Sequence, residues 1–323
     1  GLAMYFVTLE DEELMAIADR LDLDDMRALA LNYLGTSRVL SGDRGGLADL
    51  ERAVAIAVQG NLPESVEAFV NLGACLVELG ELARGFARQA EGRQAAERFG
   101  IAGWLRHLRV EQVLEYYWRG RWDSALRHAD EFIAESETGS RHYMESVCRL
   151  ARGRIRLARG DLSAALEDAE KQLVFARMAT DPQLVNSALA FRARVALVAE
   201  GSDQADAYAR ELLAMLMEQA ELHGVAEWSA DLAAVLVVLG RGSDLRELAA
   251  SKAASTLWLE AAAAFAGSDF EQAADRYAEI GSLPDEAFAR LRAAERLLAV
   301  GARTEGGAQL KRALAFFRQV GAG

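Results

Sequence analysis

Lysine is nearly missing from this chain of 323 residues. It occurs only at Lys171, Lys252 and Lys311, against 49 Asp and Glu, and the formal net charge is −13. So acidic a balance excludes the usual nucleic-acid binder, because gripping phosphates takes clustered Lys and Arg that release counterions. The only cysteines, Cys75 and Cys148, fall in different helical patterns. Neither a disulfide framework nor a cysteine-based metal site is expected. Only three prolines occur, and with Ala, Leu, Glu and Arg abundant, helix is expected almost throughout. The longest apolar run, Ala233 to Leu239 with nearby alanines, falls far short of the roughly 20 residues that cross a bilayer as a helix. The N-terminus shows no basic region ahead of an apolar stretch. The expectation is a soluble, cytoplasmic, all-α protein.

What the chain does have is a repeat. The stretch from Tyr116 to Ala129 runs an apolar helix into Gly120, turns, and starts a second amphipathic helix with a small residue at Ala125. The same punctuation recurs at Gly42, Gly80, Gly160, Gly201, Gly240, Gly267 and Gly301, at intervals near 40 residues that shrink to about 27 and 34 at the end. First helices are predicted near 25–41, 63–79, 102–119, 141–159, 182–199, 225–239, 255–266 and 284–300. Partners are predicted near 46–60, 82–99, 122–136, 162–178, 203–223, 243–250, 269–280 and 304–320. Pro63, Pro182 and Pro284 stand at predicted first-helix starts, where a missing amide costs no helix bond. Gly35, Gly73 and Gly153 lie inside first helices. Glycine costs about 1 kcal/mol there, which implies close packing against Leu47, Gly85, Ala125, Ala165 and Leu245 of the partners. Arg194 and Glu260 replace that glycine in the fifth and seventh repeats, so looser packing is expected there.

The pattern predicts an α-α superhelix, a solenoid of about eight hairpins with contacts only between neighbours. One domain would span 22–323. Residues 1–21 would be a leader, Gly1 to Thr8, followed by a helix of a truncated repeat, Glu10 to Leu21, with Leu14, Ile17, Ala18 and Leu21 on one face.

Small residues at these offsets, the Gly160-Asp161-Leu162 turn and the large apolar residue soon after it resemble the tetratricopeptide repeat, lengthened by about one helical turn. The segments Trp258 to Ala262, Asp269 to Ala287 and Ala313 to Ala322 resemble the C-terminal repeat region of large bacterial signalling ATPases, many of which carry an adenylate-cyclase or DNA-binding domain. The resemblance implies a sensing or partner-binding arm beside a nucleotide switch. No Gly-x-x-x-x-Gly-Lys-Ser/Thr loop occurs here, so ATP binding and cyclase activity are not implied for this chain.

Candidate sites are few. His107, His128, His142 and His223 are dispersed without a second ligand at metal spacing. Ser146 and Ser187 sit within helices without a nucleophile turn. The acidic runs Glu10 to Glu13 and Asp24-Asp25 read as helix-start charges, and Gly45-Gly46 and Gly306-Gly307 as hairpin turns. No metal, cofactor or catalytic residue is predicted. The concave groove expected of a tetratricopeptide array would be lined by first helices, which places His107, Val110, Leu114 and Tyr117 on it with Trp118 alongside. The competing reading makes these aromatics inter-repeat core. Arg149, Arg152, Arg156 and Arg159 form a stripe on the fourth first helix, with Arg154 offset. It would either receive an anion or be neutralised by Glu167, Asp168 and Glu170.

The leading functional expectation is a non-catalytic interaction or sensor module of a bacterial signal-transduction or transcription-regulatory ATPase. Its groove would hold a protein segment or a small effector, without nucleic acid or membrane. Two other readings are weighed: an all-helical enzyme using Glu115, His107 or Glu227 as acid or base, and a scaffold self-associating through its terminal repeats.

Overall fold

The computed structural model describes residues 16–18, 20–139, 141–179, 181–252 and 255–322. Among them there is no strand. The helices are α1 (Asp24–Leu40), α2 (Gly46–Gln59), α3 (Ser65–Glu78), α4 (Leu82–Phe99), α5 (Ala102–Trp118), α6 (Trp122–Thr138), α7 (Glu145–Ala158), α8 (Leu162–Ala179), α9 (Pro182–Ala199), α10 (Ser202–Glu218), α11 (Val225–Val238), α12 (Gly242–Ser251), α13 (Leu257–Ala266), α14 (Phe270–Ile280), α15 (Leu283–Ala299) and α16 (Arg303–Gln319). They fall into eight successive pairs, each an odd-numbered first helix with the even-numbered partner that follows. Of the N-terminal expectations, Gly1 to Thr8, the acidic run Glu10 to Glu13 and Leu14 lie outside the described residues. Residues 16–18, 20 and 21 are helical, with Ala18 buried and Ile17 and Leu21 exposed.

The turns follow from local chemistry. Gly80 and Gly160 adopt φ of 87° and 82°, a left-handed conformation that only glycine takes without strain. In the seventh pair that conformation moves one place, from Gly267 to Ser268 at φ 63°. Pro182 begins α9 behind Asp181, whose carboxylate accepts from the Gln183 amide at 3.0 Å. Pro284 likewise stands in the first turn of α15. Pro63 precedes its helix instead. Its carbonyl accepts from Val66 at 3.1 Å, a tight turn that delays α3 to Ser65.

Close approach runs antiparallel within a pair. A side chain grafted on Gly73 would meet Gln89 and Gly85, one on Gly85 would meet Val77, and one on Gly92 would meet Phe69. Residue numbers thus fall along one helix as they rise along the other. Gly35 faces Gly46 and Leu50 rather than Leu47, and Gly153 faces Asp168 and Phe191 rather than Ala165. The register is set by where backbones touch, which the turn glycines alone do not fix.

Where the repeat predicts one domain, the chain divides into two compact units at Glu111 and Gln112. The first has a core of Leu31, Val39, Leu50, Phe69, Leu72 and Leu76, with a smaller cluster of Val66, Val70, Ala96 and Leu108. In the second, each of α9, α11 and α13 packs on its own partner, on the preceding second helix or the preceding first helix. Leu150, Ala169, Phe191 and Val195 form one such junction. The second unit also returns on itself. Trp118 meets Trp258 with ring centroids 5.5 Å apart, and Trp122 meets Phe316 edge-on at 5.5 Å. Contacts confined to neighbouring hairpins do not describe this unit; large aromatic surfaces gain by burying each other across the sequence.

Alanine normally improves a helix over glycine by about 1 kcal/mol. At Gly35 the sign reverses, because the added carbon would stand 2.7 Å from the Gly46 carbonyl oxygen and 2.8 Å from Leu50. Gly35→Ala is expected to destabilise by about 2 kcal/mol, while Gly307→Ala, where nothing lies within 4 Å, should be neutral or stabilising. Urea denaturation of both variants checks this, and equal midpoints would contradict the packing described.

Candidate functional site

The second unit is organised around a buried carboxylate. Asp231 stands in the middle of α11, a helix otherwise apolar from Leu232 to Val238, and its side chain is 1% exposed. Two first helices supply its partners. Arg154 of α7 donates from Nε to Oδ2 at 2.8 Å, and Arg194 of α9 donates from Nη1 to Oδ1 at 2.6 Å. Burial opposes the negative charge of Asp231, but the two guanidinium groups outweigh it and hold the carboxyl below the usual carboxylate range. Arg154 Nη2 also donates to the carbonyl of Glu227. Arg194 lies 4.8 Å from the ring centre of Phe288, and Arg154 5.6 Å from that of Tyr117.

Beside this cluster is a cavity of about 610 Å³, within the range of about 300–1,000 Å³ usual for small-molecule sites. Leu157, Leu197, Val198, Val238, Leu291 and Phe317 give it apolar walls, and Tyr117, Arg154, Arg194, Asp285 and Arg318 supply its polar groups. Tyr117 stacks on Trp122 at an interplanar angle of 5°, and burial raises its phenol well above the ordinary value, so it is a neutral O–H donor. Asp285 accepts from the Ser282 hydroxyl at 2.5 Å, and burial pushes its carboxyl upward. The wall contributed by α15 and α16 is pinned in place. Arg159 donates to the Val320 carbonyl at 3.1 Å from Nε and 2.7 Å from Nη2, and pairs with Asp123 at 2.7 Å.

The arginine stripe on α7 is neutralised from within. Asp168 of α8, 1% exposed, accepts from Arg152 at 2.5 and 3.0 Å, from Arg156 at 2.8 Å and from Arg149 at 3.5 Å. Arg149 is further held by Glu145 at 2.6 Å and Glu137 at 2.7 Å, and Arg152 by Asp130 at 2.6 Å. The stripe's guanidinium groups are thus paired with carboxylates of the same chain, and Arg152 and Arg156 tie α7 to Asp168 of α8. Of the expected neutralisers Asp168 does the work, while Glu167 is engaged with Lys171 at 2.6 Å.

Of the residues expected in a groove, Tyr117 and Arg154 line the cavity. Val110, Leu114 and Trp118 are buried in packing. His107 is buried, with Nε2 3.3 Å from Glu111 and its ring edge-on to Trp104 at 5.4 Å. Glu115 is paired with Arg119 at 3.0 Å. Among the described residues no group of His, Cys, Asp and Glu is arranged to hold a metal ion, and no helix is long and apolar enough to cross a membrane. Burial pushes the Cys75 thiol up to about 12, which removes it as a nucleophile at neutral pH.

Sequence reasoning missed Arg194, Asp231 and Asp285. Two signals pointed to them: Arg194 occupies the position where three other first helices carry glycine, and Asp231 interrupts an apolar helix. No protein-family model matches the sequence, and no curated protein matches it either.

Removing the charge of Asp168 leaves three guanidinium groups facing a buried amide. Asp168→Asn is expected to destabilise the fold by about 3 kcal/mol or more, read as a shifted denaturation midpoint. A loss under about 1 kcal/mol, the typical value of an exposed ion pair, would show that the cluster is solvent-screened.

Proposed function

We propose that this chain is a non-catalytic binding module of stacked helical hairpins, similar in kind to the tetratricopeptide solenoids, and that it serves a bacterial signalling ATPase as its sensing arm. The second unit holds a small effector in the cavity between the Asp231 cluster and the last hairpin. The observation that carries this reading is the cavity itself, with apolar walls and a few polar groups gathered on it, the usual make-up of a small-molecule site. Its walls come from α5, α6, α7, α9, α11, α15 and α16, so an occupant touches helices far apart in sequence. Binding transmits a signal only if it favours one arrangement of those helices over another.

One feature favours catalysis instead, the raised carboxyl of Asp285, since perturbed acids cluster at active sites. Acid–base chemistry also needs a second group placed to exchange the other proton. Asp231 is committed to two arginines, and Tyr117 is held neutral, so binding is the better-supported reading.

The test uses the whole chain and the neutral fluorescent probe 1-aminoanthracene. One molecule is expected to bind per chain, and Ala234→Trp, which fills the cavity from α11, should abolish binding while leaving the circular dichroism spectrum unchanged. ATP should not be turned over. Probe binding indifferent to Ala234→Trp, or sustained ATP hydrolysis by the purified chain, would defeat the reading.

A further inference from the structure

The polar groups on the cavity are unequally used, with more donors than acceptors left over. Arg154 spends Nε on Asp231 and Nη2 on Asp231 and the Glu227 carbonyl, which leaves Nη1 without a partner among the described residues. Arg194 spends only Nη1, on Asp231, so that Nε and Nη2 are unpaired there. The Tyr117 hydroxyl makes no hydrogen bond among the described residues, although its ring is fixed between Trp122 and Arg154. On the acceptor side, Asp231 has both oxygens occupied, and Asp285 has one oxygen taken by Ser282. Spare donors outnumber spare acceptors. Charge leans the same way, since Arg154, Arg194 and Arg318 line the cavity against one lining carboxylate, Asp285, and the adjoining Asp231.

We propose that the cavity binds a small amphiphile with a single carboxylate, whose two oxygens accept from Arg194, Arg154 and the Tyr117 hydroxyl while its apolar body lies along Leu197, Val238 and Phe317. The inference rests on the binding reading above and adds the chemistry of the head group. A carboxylate fits because a planar guanidinium presents parallel donors to two oxygens. Asp231 does not compete for the same atoms, because the unused nitrogens are those it does not reach. A cationic head would meet three guanidinium groups, and a hydroxyl, with one uncharged oxygen, would engage fewer of these donors and more weakly than a carboxylate with two.

Calorimetric titration of the full chain with octanoate and with 4-phenylbutyrate distinguishes a fatty from an aromatic body, and 1-octanol and octylamine serve as head-group controls. At least one carboxylate is expected to bind one per chain, about tenfold or more tighter than 1-octanol, the factor that a charge-assisted hydrogen bond supplies. Two variants isolate the head group. Arg194→Lys keeps a cation for Asp231 but removes the planar Nε and Nη2 edge that matches two oxygens, and Tyr117→Phe removes only the hydroxyl. Each should weaken the carboxylate more than 1-octanol and so erase most of its advantage. Equal binding of octanol and octanoate, preference for octylamine, or an advantage that survives both variants would overturn the proposal. If no carboxylate binds while 1-aminoanthracene still does, the head-group assignment falls and the binding module stands; if neither binds, both fall.

Discussion

A carboxylate buried without a partner costs several kcal/mol, and Asp231 sits at 1% exposure in the centre of the second unit. That cost makes its two ion pairs obligatory. Because one partner comes from α7 and the other from α9, the requirement fixes three consecutive first helices relative to each other at one point. Apolar packing alone tolerates sliding of one helix along another, since alanine and leucine surfaces repeat every turn. An Arg–Asp–Arg bridge has one register. The polar cluster therefore defines where the cavity lies and which side chains face it.

The same logic accounts for how the unit closes. Trp118, Trp122, Trp258 and Phe316 are large apolar surfaces from α5, α6, α13 and α16 that meet one another across the sequence, Trp118 on Trp258 and Trp122 on Phe316. Arg159 then adds two hydrogen bonds to the Val320 carbonyl, and with its charge assistance satisfies an acceptor at the end of α16 that the helix leaves open. Hydrophobic burial draws the last hairpin in, and directional bonds set its angle. The cavity persists between them because the walls that meet there, Leu157, Val198, Val238 and Leu291 among them, are held apart by the aromatic and ionic contacts on either side.

Much of the secondary structure was legible because it depends on local rules. Helix period, turn glycines and the Asp181-Pro182 start placed the eight pairs to within a few residues, and the exceptions have local causes: the turn at Pro63, the turn at His142 that delays α7 to Glu145, and the loop that ends α10 at Glu218. The cavity was not legible, because it is made by residues that break the pattern. Arg194 stands where a repeat wants glycine and reads as poor packing until its partner is known. Asp231 reads as one acidic residue among many. The α7 stripe misled in the opposite way. Its regular spacing drew notice, yet regular spacing put Arg152 and Arg156 within reach of one carboxylate on the adjacent helix, whereas the offset Arg154 reaches the cavity.

Asp231 also limits what a ligand can do. It cannot be robbed of both arginines without incurring the desolvation cost that made them obligatory, so an occupant must accept hydrogen bonds only from nitrogens that Asp231 leaves over. Those nitrogens are fixed in direction, because each guanidinium is already anchored through another of its atoms. Preorganised donors lose little freedom on binding, and they reject a head group that does not match their geometry. The ion pair that locks the three helices is thus also what orients the donors facing the cavity, so the helix register and the proposed head-group selectivity have a single origin.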